Sequence, residues 1–357
     1  MNEAGFKRLV SGGTTGPFAN VARASLWSLS LGYRVAAATR NLLFDAGIKQ
    51  QHSVSAPVIS IGNLTTGGTG KTPVVASVVN HLVAAGRKPA IISRGYRAID
   101  GEANDEKMML DQLCPNVVHL QNPDRVAFAK IAIAEHQADV LVLDDGFQHR
   151  RIARNLNVVL VDATCPFGYG HLLPRGLLRE PVSSLRRADV VLITRANQCD
   201  AETIEHITQE IRRANDSVPV LEVAFQSQRL RNSTGQSTSF ESLASHQVAA
   251  FCAIGNPEGF RRTLNDSQLE PAWLQSFPDH HHYSQSDLTQ LSERAVDSGI
   301  DVLLTTQKDL VKIPADSLNR VPLWAIEIAA EFGDDQSQFE SILDRCIADY
   351  TTSNSKI

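Results

Sequence analysis

The sequence predicts an α/β protein: a doubly wound, mostly parallel sheet with a smaller C-terminal α/β unit and an N-terminal amphipathic helix. Three observations lead there. Nearly continuous apolar runs ending in polar residues recur, as in DVLVLDD (139–145), NVVLVD (157–162) and DVVLIT from Asp189; strands buried on both faces of a parallel sheet need such runs. These alternate with helical stretches in a βαβ pattern. Ahead of Pro57 lies a basic segment with apolar residues at helical spacing.

In that first segment Trp27, Leu31, Val35, Ala38 and Leu42 share a helical stripe, with Arg23, Arg34 and Arg40 around it. The uncharged stretch from Ala24 to Tyr33 is too short for a hydrocarbon core that needs about 20 residues. Two readings are open, a helix lying in a membrane surface and a helix packed on the protein's own core. Residues 1–56 carry Lys7, Arg8, Arg23, Arg34, Arg40 and Lys49 against Glu3 and Asp45, so the remainder is more acidic than the whole.

From Pro57 the elements follow in order. PVISIG (57–62) is a strand, then comes a Gly-rich turn and a helix from Thr72 to about Ala85. PAIIS (89–93) is extended, Asp105 to Leu113 helical and VVHL (117–120) extended; Pro123 to His136 is helical, with Pro123 suited to a first turn. The Ser/Thr/Gln-rich stretch 226–247 reads as a linker or hairpin. Beyond it VAAFCAI (248–254), a helix from Pro257, a His-rich turn, a helix near 286–298, DVLLTT (301–306) and PLWAIEI (322–328) again alternate. The expected organisation is an N-terminal segment 1–56, a core 57–225, the linker or hairpin 226–247 and a C-terminal portion 248–357.

Composition narrows the class. With 357 residues, 43% hydrophobic content and a net charge of −5, the chain is neither a disordered tail nor a basic nucleic-acid binder. Cys114, Cys165, Cys199, Cys252 and Cys346 form no C-x-x-C pair, and no leader-like segment opens the sequence. A reduced, cytoplasmic protein with inert thiols is expected.

Chemistry concentrates in a few motifs. GGTGKT (67–72) follows a strand and opens a helix. Glycines there let backbone N–H groups turn onto phosphate oxygens, and the helix N-terminus adds partial positive charge. Thr65, Thr66, Gly67, Gly68, Thr69, Gly70, Lys71 and Thr72 form the expected nucleotide cradle; Lys71 reaches the β/γ-phosphates and the Thr72 hydroxyl ligates Mg²⁺. The strict pattern asks for Gly where Thr65 stands. LVLDDG (141–146) ends an apolar strand in Asp144 and Asp145, the placement by which P-loop folds bring a carboxylate to the metal. The sheet is therefore expected to be of the P-loop NTPase type. Asp105, Glu106 and the run His280, His281, His282 are candidates for the group that takes a proton from an acceptor hydroxyl.

Together these segments resemble the tetraacyldisaccharide 4′-kinase family, the lipid A 4′-kinases of Gram-negative bacteria. The resemblance runs from about residue 25 to 328. It is carried by PVISIGNLTTGGTGKTP (57–73), SRGYR (93–97), DE (105–106), PDR (123–125), LDDGFQH (143–149), FGYGHLLPRGLLREP (167–181), AIGNPEGF (253–260), DHHHY (279–283) and TTQKD (305–309). Thr65 is ordinary for that family. The resemblance implies ATP- and Mg²⁺-dependent phosphorylation of the 4′-hydroxyl of a lipid disaccharide 1-phosphate, giving lipid IVA. It implies Asp105 as proton acceptor assisted by His280, with Asp144 catalytic and Asp145 and Glu180 joining Thr72 at the metal. His149 and Arg125 fall at matched site positions. It further implies a monomer, no nucleic-acid partner, and a peripheral or monotopic place on the cytoplasmic face of the inner membrane. Three departures stand out: Arg97 in SRGYR, Gln307 where Glu is usual, and a third histidine that leaves His280 and His281 as alternatives. The rival readings are a P-loop enzyme acting on a soluble acceptor and a nucleotide-switched scaffold like the partitioning ATPases, whose loop carries a lysine where this chain has Thr66.

Overall fold

The computed structural model describes residues 3–95 and 105–354; Tyr96 and Arg97 of the SRGYR motif lie outside the described residues. In chain order come α1 (Glu3–Val10), α2 (Pro17–Asp45), β1 (Val58–Asn63), α3 (Lys71–Ala84), β2 (Pro89–Ser93), α4 (Asp105–Leu113), β3 (Val118–Gln121), α5 (Arg125–His136) and β4 (Val140–Asp144). Next are β5 (Leu156–Asp162), β6 (Val190–Thr194), α6 (Ala201–Ala214), β7 (Val220–Arg231), β8 (Ser237–Thr238), β9 (Val248–Cys252), α7 (Pro257–Asp266) and β10 (Leu274–Ser276). The chain closes with α8 (Gln285–Asp297), β11 (Val302–Thr306), α9 (Gln307–Leu310), β12 (Ser317–Leu318), β13 (Val321–Glu331) and α10 (Gln336–Asn354). Two compact units interleave along it. The first takes the chain up to Gly95, Asn116–Ala224 and everything from Glu331; the second takes the described residues Asp105–Pro115 and Phe225–Ala330.

In the first unit the strand order is β3-β2-β4-β1-β5-β6-β7, every neighbouring pair parallel. All residues of β1, β2, β4 and β6 are buried, which is why these runs carry no polar alternation. Register fixes the functional end. Ile61 pairs with Asp144, so the loop leaving β1 and the acids leaving β4 emerge side by side. The order reverses about β1, and in open α/β sheets ligands bind beyond the strand carboxyl ends at such a reversal.

Two glycines allow this tight junction. A Cβ on Gly62 would meet the Phe147 backbone nitrogen at 2.6 Å, and one on Gly146 would meet Ser60 Oγ at 2.5 Å. Beyond β4 the chain therefore folds directly back over β1.

Helix α2 inverts the usual globular pattern. Its inward seam is small or polar: Ala19, Ser30 and Asn41 are buried with Phe44. Ser30 Oγ donates to Leu172 O (2.9 Å), Tyr33 Oη to Arg179 O (2.9 Å), and Arg150 bridges to Asp45 (2.7 Å). Its outward side exposes Phe18 (90%), Val21, Trp27, Leu29, Leu31, Val35 (66%) and Leu42. So the stripe read from the sequence faces outward, and the core contacts are made by residues between its members. No described helix is long and apolar enough to cross a membrane.

The second unit carries the parallel order β10-β9-β11-β13. Two apolar clusters pack within it, one around Phe251, Leu291 and Leu323, the other around Phe260, Leu264 and Leu304. Within 226–247, the end of β7 pairs antiparallel with β8 through Leu230–Thr238 and Arg231–Ser237.

Two local readings need correction. Pro123 is not in the first turn of its helix, because Asp124 takes the N-cap, its side chain accepting from Ala127 N, and α5 starts at Arg125. The sequence reading also placed no element after residue 328, whereas α10 buries Phe339, Leu343 and Ile347 on one narrow stripe.

Gly62→Ala is expected to destabilise the protein by about 1–3 kcal/mol through overpacking against Phe147. Urea titration should show a lowered midpoint with an unchanged slope; an unshifted midpoint would mean the β1–β4 junction is looser than described.

Candidate active site

The Gly-rich loop is pinned on both arms. Thr66 N donates to Leu177 O (2.8 Å) and Arg179 N to Leu64 O (2.7 Å), tying the first arm to the LLRE segment. Asn63 Nδ2 donates to Thr65 O (2.9 Å). On the other arm Thr194 Oγ1 donates to Thr69 O and Arg195 Nη2 to Gly68 O, each at 2.9 Å. Gly67 (φ 112°) and Gly70 (φ 81°) take left-handed conformations that side chains disfavour, and α3 starts at Lys71. Among the described residues, nothing lies within 4 Å of a Cβ built on Gly67 or Gly68, and the buried Thr69 Oγ1 has no hydrogen-bond partner.

Around the end of β4 three cations meet two acids. Lys71 Nζ lies 3.5 Å from Asp145 Oδ1, and Arg179 Nη1 contacts Oδ1 (3.0 Å) and Oδ2 (2.8 Å). Arg125 Nη1 donates to the Asp145 carbonyl (3.0 Å), which the left-handed backbone of Asp145 (φ 49°) presents to it. Burial opposes ionisation of Asp145, but Lys71, Arg179 and Arg125 outweigh it and hold the carboxyl well below the usual range. Asp144 is buried beside Arg125 and supports its charge against desolvation.

Glu180 is buried, with Oε2 receiving Arg187 Nη2 (2.6 Å) and Asn41 Nδ2 (2.9 Å), while Oε1 is buried without a partner among the described residues. His149 is pushed down to about 4, first by burial and then by Arg125, Arg151, Arg154 and Arg40. It is therefore neutral at pH 7.

A second cluster belongs to the second unit. Asp105 opens α4, and its Oδ2 lies 2.9 Å from His280 Nδ1 while Oδ1 accepts from Glu106 N (3.0 Å). Lys308 Nζ lies 3.0 Å from Asp279 Oδ1, 3.3 Å from His280 Nε2 and 3.8 Å from Asp105 Oδ2. Burial alone would raise the Asp105 pKa; the His280 hydrogen bond and the charges of Lys308 and Lys312 reverse this and lower it.

His280, with φ at 61°, is the histidine that meets Asp105. His281 instead bonds to Asp287 (3.1 Å) and stacks on Phe277 at 4.9 Å. Gln307 is buried, and Asp309 ties the TTQKD turn to the AIGNP loop by accepting from Ala253 N (3.0 Å), while Thr306 Oγ1 donates to the same carboxylate from within the turn (2.7 Å).

Sequence reasoning missed Arg179 and Lys308, although both sit inside quoted motifs. Each basic residue stands beside an acid in the chain, Arg179 before Glu180 and Lys308 before Asp309, yet pairs with a different one across space. Linear adjacency was the wrong guide.

The model of the family described as tetraacyldisaccharide-1-P 4′-kinase matches residues 22–348. The chain is 40% identical over 314 residues to the tetraacyldisaccharide 4′-kinase of Anaeromyxobacter dehalogenans strain 2CP-C, covering 84% of this chain and 83% of that one. It is 37% identical over 311 residues to the enzyme of the same name from Elusimicrobium minutum, covering 81% and 82%. Among solved structures it is similar to LpxK from Aquifex aeolicus in complex with ATP, with a TM-score of 0.72 and 27% identity over 91% of this chain and 99% of that one.

The His149 shift has a consequence for acid stability. Its unfolded-state pKa is near 6.5 and its folded value about 4. The unfolded chain therefore binds the extra proton first, and stability falls as pH drops from about 6.5 to about 4. Asp145, depressed below the carboxylate range, contributes no loss until lower pH. His149→Gln should flatten the decline in urea midpoint between pH 7 and 4.5; an equally steep decline would place its cause elsewhere.

Proposed function

Because the chain belongs to the tetraacyldisaccharide-1-P 4′-kinase family, we propose that its first unit binds ATP with Mg²⁺ while its second supplies the base that prepares the acceptor hydroxyl. The overall reaction is ATP-dependent phosphorylation of the 4′-hydroxyl of a tetraacyldisaccharide 1-phosphate, a step of lipid A biosynthesis. The observation that carries the assignment of roles is the Lys71–Asp145 pair at 3.5 Å, a loop cation and a strand-end carboxylate side by side.

The residues suit the nucleotide and its metal. Open space over Gly67 and Gly68, the orphaned Thr69 hydroxyl and the surplus of cations around Asp144 and Asp145 match a polyphosphate. The thin oxygen donor set of Thr72 and Asp145, with Glu180 Oε1 in reserve, suits Mg²⁺, which typically takes one or two carboxylates plus substrate phosphates. When bound, Mg²⁺ supplies charge neutralisation across the phosphates.

The chain's own groups do the rest. Backbone amides from Gly67 to Thr72 and the Lys71 ammonium hold the phosphates, while the Thr66 amide, already bonded to Leu177 O, anchors the loop. Arg179 and Arg125 fix Asp145 and offset developing charge. Asp144 keeps Arg125 in place. Asp105, kept ionised by His280 and Lys308, takes the proton from the 4′-hydroxyl. Phosphoryl transfer asks mainly for such positioning and charge stabilisation.

The acyl chains of the acceptor bring the protein to a bilayer. The outward face of α2 and its flanking basic residues suit interfacial binding on the cytoplasmic face of the inner membrane, peripheral rather than spanning. The reading takes the enzyme as a monomer.

Supplied with ATP, Mg²⁺ and the lipid disaccharide 1-phosphate, the enzyme should form product one phosphate heavier by mass. Asp105→Ala should cut turnover by about 10²–10⁴-fold while ATP binding persists; undiminished turnover removes Asp105 from the base role. Replacing Trp27, Leu31 and Val35 by Ser should lower sedimentation with anionic vesicles without disturbing the fold. Full vesicle binding by that variant would refute the α2 surface.

A further inference from the structure

The TTQKD turn lies outside the nucleotide loop, and its lysine has so far only a neutralising role. We infer that Lys308 is a positioning residue that sets the tautomer of His280, obliging the Nδ1–H to donate to Asp105. The inference rests on the reading of Asp105 as base and deepens it.

The argument is one of donors and acceptors. An ammonium can only donate. Lys308 Nζ stands 3.3 Å from His280 Nε2, so that nitrogen must present its lone pair, and the ring hydrogen is left on Nδ1, 2.9 Å from Asp105 Oδ2. The other tautomer would set two donors against each other at Nε2 and two lone pairs against each other at Nδ1. An imidazolium would repeat the first clash.

Asp279 makes the assignment consequential. Its Oδ1 is 4.0 Å from His280 Nε2, beyond hydrogen-bond distance but close enough for its charge to favour a hydrogen there. Lys308 cancels that preference by taking Asp279 Oδ1 at 3.0 Å. The charged groups around His280 are Asp105 from α4, Asp279 from the same loop, and Lys308 and Lys312 from the α9 turn. Without Lys308, the Nε2–H would turn to Asp279, and Nδ1 would face the base with a lone pair. Asp105 would lose its hydrogen-bond donor and a nearby positive charge together, so it would bind protons more readily.

The test is ¹⁵N NMR of the histidines in the full-length enzyme, with His280→Gln assigning the signal, alongside pH-rate profiles. In the unsubstituted enzyme His280 Nδ1 should appear protonated and Nε2 unprotonated. Lys308→Met should invert that pattern, lower kcat by about 10–100-fold, as loss of an orienting partner does elsewhere, and move the acid limb of kcat/KM to higher pH, with KM for ATP unchanged. Lys308→Arg keeps a donor and should retain the original tautomer with most of the activity. Adding Asp279→Ala to Lys308→Met removes the competitor and should restore the Nδ1–H form. A protonated Nε2 in the unsubstituted enzyme overturns the inference, even should Lys308→Met fail to fold; so does a Lys308→Met acid limb that stays in place. Asp105→Asn separates the two claims: full turnover there refutes the base, while the His280 tautomer still reports on Lys308.

Discussion

Everything in the first unit depends on one register, that of β1 against β4. Pairing Ile61 with Asp144 sets the carboxylates at the mouth of the Gly-rich loop, and glycines at 62 and 146 let the two chain crossings approach. A one-residue slip would send every side chain to the opposite face. Asp145 would then leave Lys71 and Arg179, and three cations would gather with no carboxylate to order them.

The second unit solves a different problem with similar means. The proposed base must stay ionised while partly withdrawn from water, and burial alone works against it. A histidine donor and a lysine held beside it reverse the balance at Asp105. Both units thus use fixed cations to keep a carboxylate charged. At Asp145 the cations suit phosphate; at Asp105 they suit the proposed proton acceptor.

Much of this was readable from residues alone. Fully apolar runs such as VLVLD announce buried parallel strands, and GGTGKT between strand and helix admits few meanings. The loop–acid pairing was legible because P-loop geometry makes it nearly obligatory. The orientation of α2 was not, since periodicity locates a stripe without saying which side meets the core. There the core side proved small and polar, with Ser30, Tyr33 and Asn41 reaching carbonyls and Glu180. The choice between His280 and His281 was equally hidden. It turns on a left-handed backbone at His280 and on the aromatic packing that holds His281 against Phe277. Arg179 and Lys308 escaped because their partners lie far off in sequence.

The proposed role of Asp145, ordered by Lys71 and Arg179, is to hold the metal of a metal–nucleotide complex. Calorimetric titration of ATP into the enzyme and into Asp145→Asn, each with and without Mg²⁺, tests it most directly. The account predicts that Mg²⁺ strengthens binding to the unsubstituted enzyme and that this gain disappears in the variant, which still binds metal-free ATP through its cations. An undiminished Mg²⁺ gain in Asp145→Asn would contradict it.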